Sequence, residues 1–583
     1  MKIINTAILA WALVLTACQA TDQTTSTPAN ANPNGLLQAH FEWFDYAGND
    51  DYFKTPLAEN QYRNPILAGY HPDPSVVRVG EDFYLVNSTF GFYPGIPVFH
   101  SRDLVNWTQI GNAIHRPDQL NFDGIHLGYH GVYAATIEYR DGTFYVINTC
   151  VGCGGNFVVT ATDPAGPWSD PIWMPDMQGI DPSIFFDDDG KTYVVHQRVP
   201  EQKNFDAHSA VWVMEVDPET FQPRSDDVML MDGGADSPWN TDYLEGPHIY
   251  KINGTYYLSA PGGGTGYYHQ QLLYKSDTVF GPYTPNPNNP VLTQFGLADD
   301  REFPVTATGH ADIFSDSKGN WWAVFLATRV YDLAAPNQDP GNFHTGRETF
   351  LLPVKWVDGW PVILDKGLPV PSAVNKPDLP PAPAAPRAMT GNFSVHETFT
   401  NKTLAPHWQM MRTPHRQWWH TGNGGLVLDA RADRPGHKQQ PSFIGRRLAH
   451  QTATFSTKMD FQPRAPGDQA GLLAIQNDEH FYSFVLTLDE HGKTVVEVYS
   501  RSGASDPASG QRLARSAVSL KPGAPLYLQM AVDKAELDFS YSLDGKHFTT
   551  LLDNADSRVL GSAVAGGFTG AVVGMYTAGS TEE

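Results

Sequence analysis

Apolar residues along this chain come in short runs broken by Gly, Asn, Asp and Pro, and the three-to-four-residue period of an amphipathic helix is scarce. One pattern recurs five times: a β run, a polar turn ending in Gly, an aromatic pair or near-pair, and a second β run. The copies are Pro74 to Gly80 leading to Phe83-Tyr84, Ala135 to Gly142 leading to Phe144-Tyr145, and Pro182 to Gly190 leading to Thr192-Tyr193. Pro247 to Gly254 with Tyr256-Tyr257 and Ala311 to Gly319 with Trp321-Trp322 complete the set. Asp-Gly and Asn-Gly mark hairpins, because tight hairpin turns need positive φ. Five hairpin-centred units of about 60 residues predict five four-stranded blades of a β-propeller, which leaves no long exposed edge.

Beyond Pro369 the pattern changes. Pro377, Pro380, Pro381, Pro383 and Pro386 stand among Ala and polar residues and predict a semi-rigid linker. Strict alternation then returns, with Ala453, Phe455, Thr457, Met459 and Phe461 on one face, and Leu537, Phe539, Tyr541 and Leu543 before Asp544-Gly545. This predicts a second all-β domain, a sandwich of jelly-roll or concanavalin-like form. The expected organisation is a signal peptide over 1–18, a tether and extension over 19–58, a propeller over 59–368, a linker over 369–390 and a sandwich over 391–583.

The repeat also has a matched front edge. Tyr133, Asp181, Glu245 and His310 each stand nine residues before the turn glycine of their copy, and Asp73 seven before its own. Equivalent positions in blades are related by rotation about the propeller axis, so these five side chains are expected to ring one end of the channel. Converging carboxylates cost charge repulsion and desolvation, so the cluster points to function.

Charge narrows the partners. Lys and Arg number 39 against 63 Asp and Glu, a net charge of −24, which repels phosphate backbones and argues against nucleic acid. Fourteen Trp, 25 Tyr and 31 Phe form a large aromatic store, able to serve β cores or stacking on sugar rings.

At the N-terminus, Lys2 precedes an apolar run from Ile3 to Ala17, shorter than the roughly 20 residues a membrane helix needs, so it reads as an export signal. Leu15-Thr-Ala-Cys18 resembles a bacterial lipobox with Cys18 as the lipidated residue. The polar stretch from Thr21 to Gly35 would be the tether. Gln19 after the Cys implies retention at the outer membrane, so the expected location is the cell envelope, with membrane contact only through the lipid. Cys150 and Cys153 lie between two expected strands, Phe144–Thr149 and Phe157–Thr160, where a hairpin-end disulfide and a pair of free thiols are both open readings. Neither gives the pair a catalytic role.

Hydrolysis of an acetal between sugars needs one acid to protonate the leaving oxygen and a second carboxylate to activate water or to attack. A third carboxylate suits tuning, since burial and a like charge raise a neighbour's pKa. No G-x-S-x-G elbow, phosphate loop or H-E-x-x-H offers another chemistry. Each candidate also has a plain structural reading. The two Asp-Pro-Ser segments suit turns, and a lone His310 suits a hydrogen-bonded core.

Several motifs in order resemble the β-xylosidase/α-L-arabinofuranosidase group of glycoside hydrolase family 43. They are Asn64 to Ser75, Phe83 to Phe90, His100 to Trp107, Gly179 to Ser183, Glu245 to His248, Thr308 to Asp312 and Gly346 to Pro353. The resemblance implies a five-bladed propeller and inversion at the anomeric carbon. It implies Asp73 as general base, Asp181 as pKa modulator and Glu245 as general acid. Arg347 would hold sugar hydroxyls, Phe90, Tyr133 and Thr265 would line the first subsite, and His310 would lie below it on the axis. No cofactor is required, although some members hold calcium at that point, so the resemblance allows a metal at His310. Two departures stand out. Gly131-Val-Tyr-Ala-Ala135 replaces the Gly-Ile-Trp-Ala-Pro of many family xylosidases, and the sandwich is expected to stop before the last strand the resemblance implies, soon after the apolar run Ala571–Tyr576, which would alter that domain's edge and any loop it sends over the site.

The sequence therefore points to an exported exo-glycosidase releasing single pentoses from xylo-oligosaccharide or arabinoxylan fragments, β-xylosidase first and α-L-arabinofuranosidase second. A non-catalytic sugar-binding lipoprotein is the rival from another class.

Overall fold

The five repeats fold as five antiparallel blades. In the computed structural model, which describes residues 35–233, 242–333, 341–422 and 424–580, each copy supplies the first two strands of one sheet. These hairpins are Ser75–Val79 with Asp82–Val86, Thr136–Arg140 with Thr143–Val151, Ile180–Phe186 with Thr192–Arg198, His248–Ile252 with Thr255–Gly262, and Val305–Ser315 with Trp321–Arg329. Two further strands complete each blade, for example Gly95–Ser101 and Thr108–Ile114 in the first. Inner strands contact their neighbours around the ring, blade five returning to blade one. The strand-start hydroxyls and carboxylate stitch the blades together. Ser75 Oγ and the Val76 amide donate to Asp312 of blade five at 2.9 and 2.8 Å, and the Tyr250 hydroxyl of blade four donates to the same carboxylate at 2.8 Å. Thr136 Oγ1 donates to the Pro182 carbonyl and Ser183 Oγ to the Pro247 carbonyl.

The linker is no free spacer. Ala373–Asn375 pairs antiparallel with Gln61–Arg63, and the Asn64 side chain both donates to and accepts from Leu351 of blade five. Entry and exit of the propeller are thus sewn to each other, which closes the ring.

The sandwich differs from the expected boundaries in one respect. Gln38–Gly48, read from sequence as part of a tether and extension, is an inner strand of a sandwich sheet, between Leu426–Asp429 and Thr452–Asp460. Its alternation explains this: Ala39, Phe41, Phe44 and Tyr46 are buried, so the strand has an apolar face that only a second sheet can cover. That sheet continues through Leu526–Asp533, Glu536–Ser542 and Thr549–Asp556. The facing sheet runs Ser442–Arg447, Val572–Ala578, Gln469–Asn477, His480–Leu488, Thr494–Ser502, Gln511–Ala517. The run Ala571–Tyr576 is therefore no ragged edge; its strand is paired on both sides. The face from Ala453 to Phe461 is buried as its alternation predicts, but Leu543 is exposed because the strand ends at Ser542 and Leu543 sits in the turn.

From Leu37 onward the chain is one compact unit. One core runs from blades one and two (Val86, Val132, Phe157) into the sandwich (Phe44, Trp408, Phe455, Phe484). Each such buried side chain contributes about 1.5–3 kcal/mol. Residues 1–34, and with them Cys18 and most of the tether, lie outside the described residues. A disulfide joins Cys150 and Cys153 at the tip of the second blade's hairpin.

Candidate active site

The residues before the inner strands do converge, through a shared backbone feature. Asp73, Asp181 and His310 all adopt left-handed φ, +50°, +52° and +53°, a region L-residues adopt at a cost and which clusters at functional sites. In blade four the same turn falls on Gly246, φ +49°, just after Glu245. A Cβ at Gly246 would meet the His310 ring at 2.6 Å, so the glycine lets the acidic segment pass against the axial histidine. Gly131, at φ +107°, does the same for the wall: a Cβ there would lie 2.2 Å from the Phe90 backbone.

Asp73 is anchored from two sides. Arg347 Nη1 donates to its Oδ1 at 2.9 Å, and Ser88 Oγ donates to its Oδ2 at 2.5 Å. The pair is buried, which strengthens it relative to a surface ion pair and leaves Asp73 no freedom to turn away. Arg347 Nη1 also donates to Thr265 Oγ1 at 3.1 Å, and its Nη2 donates to the Phe568 carbonyl at 3.3 Å. Its guanidinium lies 5.7 Å from the ring centres of both Phe90 and Phe568.

Among the described residues no cation forms an ion pair with Asp181 or Glu245 as Arg347 does with Asp73. Burial, then the Asp73 charge, raises Asp181 to about 7. Burial, then Asp181 and Asp73, raises Glu245 well above the usual carboxylate range. Glu245 faces the open pocket, whereas Asp73 and Asp181 sit deeper. Glu245 thus keeps its proton at neutrality and Asp181 titrates there, beside a third carboxyl that is paired with an arginine. That separation of states suits acid–base work on one bond.

Above them is a pocket of about 420 Å³, bounded by Glu245, Thr265, Arg347, Tyr243, Phe343 and Phe568. Phe90 stacks on Phe568 at 5.6 Å and tilts against Tyr133 at 5.0 Å. The Tyr133 hydroxyl donates to the Tyr129 carbonyl, so Tyr133 presents its ring as a fixed wall. All eight residues singled out in the sequence gather here. Sequence reasoning missed Ser88, Tyr243, Phe343 and Phe568. Ser88 lies in the quoted run Phe83 to Phe90 and was legible as a hydroxyl near the ring. Phe568 comes from the loop before the last sandwich strand, 221 residues after Arg347, with no local signal.

His310 stands 3.7 Å from an Asp73 oxygen that also accepts from Arg347. Its other neighbours include the imidazoles of His248 and His269. Burial lowers His310 to about 4 and His269 to about 3, so both are neutral at physiological pH. Among the described residues no group of three His, Cys, Asp or Glu side chains is placed to hold a metal ion.

Residues 62–361 match the family described as Glycosyl hydrolases family 43, and residues 396–583 match the Beta xylosidase C-terminal Concanavalin A-like domain. Over 539 residues the chain is 36% identical to the non-reducing end alpha-L-arabinofuranosidase of Bacteroides ovatus, covering 90% of this chain and 92% of that one. It is 33% identical over 519 residues to a xylosidase/arabinosidase of Butyrivibrio fibrisolvens, covering 88% and 95%. Among solved structures, a GH43_12 retrieved from capybara gut metagenome superposes with a TM-score of 0.84 at 36% identity, covering 93% of this chain and all of that one. With a five-bladed propeller joined to a concanavalin-like sandwich, the chain belongs to glycoside hydrolase family 43.

Proposed function

We propose that this exo-acting glycoside hydrolase releases one pentose at a time from the non-reducing end of xylan- or arabinoxylan-type fragments, with inversion. Asp73, fixed by Arg347 and Ser88, takes a proton from the attacking water. Glu245, still protonated at neutral pH, gives its proton to the leaving glycosidic oxygen. As Asp181 ionises around neutral pH, its charge keeps Glu245 protonated towards higher pH, and it does not touch the bond. Arg347 and Thr265 bind sugar hydroxyls, and Phe90, Tyr133 and Phe568 form the apolar wall. The observation that carries this reading is the contrast between the arginine-paired Asp73 and the raised Glu245. Replacing Glu245 by Ala should cut kcat on unactivated xylobiose by about 10²–10⁴-fold. Full activity in that variant would overturn the assignment and favour a sugar-binding protein with adventitious hydrolysis.

Sequence alone placed β-D-xylosides first. Two observations now favour α-L-arabinofuranosides as the faster substrates, with β-D-xylosides also cleaved. Tyr133 stands where many family xylosidases have Trp, which narrows the wall, and the Bacteroides ovatus relative is named for arabinofuranoside cleavage. Side-by-side kinetics on aryl α-L-arabinofuranoside and aryl β-D-xyloside decide the order, and faster xyloside cleavage would restore the original one. Cell-envelope location through a lipid on Cys18 is part of the proposal, supported by the lipobox-like Leu15-Thr-Ala-Cys18. Labelled palmitate should enter the full chain and not its Cys18→Ala variant.

A further inference from the structure

Three arginines meet where the propeller's entry segment, the linker and the sandwich join: Arg387 of the linker, and Arg446 and Arg447 at the end of the strand Ser442–Arg447. Arg446 and Arg447 are 6% and 7% exposed. Neither has a carboxylate partner among the described residues, and Arg446 Nε, Arg446 Nη1 and Arg447 Nε are buried with no hydrogen-bond acceptor. Arg387 has one acidic neighbour, Glu397, at 3.6 Å, and its Nη1 donates to His407 Nε2 at 2.7 Å.

Every other titratable group facing the cluster is neutral. Burial, with the arginines adding to it, pushes His407 and His71 far below the usual imidazole range. Burial raises the Tyr46 and Tyr70 phenols far above theirs. Arg446 and Arg447 are lowered to about 10, chiefly by burial, and so stay charged at neutral pH. Three cations thus share one carboxylate, inside a chain whose net charge is −24.

Aromatic faces do not offset this. Arg446 lies 4.5 Å from the Tyr46 ring centre and Arg447 lies 5.6 Å from that of Tyr70. A ring face attracts a cation only weakly compared with what burying an unpaired ion costs. A pocket of about 40 Å³ opens between the guanidiniums, bounded also by His71, His407 and Met389. Holding a water takes about 10–15 Å³ of such space, so the pocket has room for a small anion such as a halide.

We propose that this pocket binds a single halide, chloride under ordinary conditions, which accepts hydrogen bonds from Arg446 and Arg447 and fastens the sandwich to the propeller. A bound anion at the joint supplies the missing counter-charge and stabilises the folded state by mass action.

The test uses the full chain, exchanged into sodium gluconate at pH 7 and titrated with sodium bromide or chloride at constant ionic strength. Tm should rise and then saturate with halide. Crystals soaked in bromide should show an anomalous peak within hydrogen-bond distance of both guanidiniums. Arg446→Gln and Arg447→Gln should lose the halide dependence while the response to total ionic strength persists. Equal Tm in gluconate and halide, or no bromide peak at this site, would overturn the proposal, and equal saturation by sulfate would overturn the halide assignment. If either variant does not fold, the wild-type titration and the bromide map decide the matter by themselves.

Discussion

Asp181 shows how one side chain can act without touching the scissile bond. Its charge is among the causes holding Glu245 protonated, second after burial. Replacing it by Asn removes that charge, so Glu245 should lose its proton at lower pH. The high-pH limb of kcat/KM should then move down by about one unit, since a pKa unit is about 1.4 kcal/mol of interaction. A merely structural role would lower activity equally at every pH. The same residue makes a stability prediction of defined sign. A carboxyl raised to about 7 in the folded state binds more protons folded than unfolded, so stability falls as pH rises from about 4 towards 7. Asp181→Asn should therefore raise Tm more at pH 8 than at pH 5 in calorimetry, and an equal gain at both would show that the carboxyl is not buried in its neutral form. Tyr243 lines the pocket and is 53% exposed, and in the proposed binding mode its ring would meet the sugar beyond the cleaved bond. Tyr243→Ala should raise KM for xylo-oligosaccharides several-fold and leave aryl glycosides nearly unchanged.

Among elements, the strand Gln38–Gly48 carries more of the fold than its position near the N-terminus suggests. It pairs with Leu426–Asp429, Ser394–Glu397 and Thr452–Asp460. Deleting residues up to Gly48 would open a sandwich sheet, remove Phe41 and Phe44 and uncover the core side chains they pack with, Trp408 and Phe455 among them. The shortened chain should unfold at much lower temperature or aggregate, as melting and size-exclusion profiles would show. The loop before Val572–Ala578 is the second such element, because it delivers Phe568 to the site. Phe568→Ala removes a stacking partner of Phe90 and leaves the Arg347 contact to its carbonyl in place. It should weaken KM about ten-fold with a smaller effect on kcat, on the scale of one lost aromatic contact; an unchanged KM would remove Phe568 from the sugar site.

At the scale of the whole molecule, propeller and sandwich are not separable modules. Their shared core and the Phe568 contact mean that residues 59–368 expressed alone should be inactive and poorly soluble, and an active, well-folded propeller fragment would contradict this. The hairpin repeats, the blade count and the ring of Asp73, Asp181, Glu245 and His310 were legible in the sequence. A hairpin is specified by neighbours in the chain, and a rotational repeat carries a fixed offset from turn to site. Alternation also identified the sandwich, although Leu543 shows that it cannot say where a strand stops. Tertiary structure alone decided that Gln38–Gly48 joins a sheet built some 400 residues later, that Phe568 completes a pocket in another domain, and that Arg446 and Arg447 form no ion pair among the described residues. Those outcomes depend on contacts between segments hundreds of residues apart, and periodicity along the chain records which face of a segment is apolar but not which distant surface will cover it.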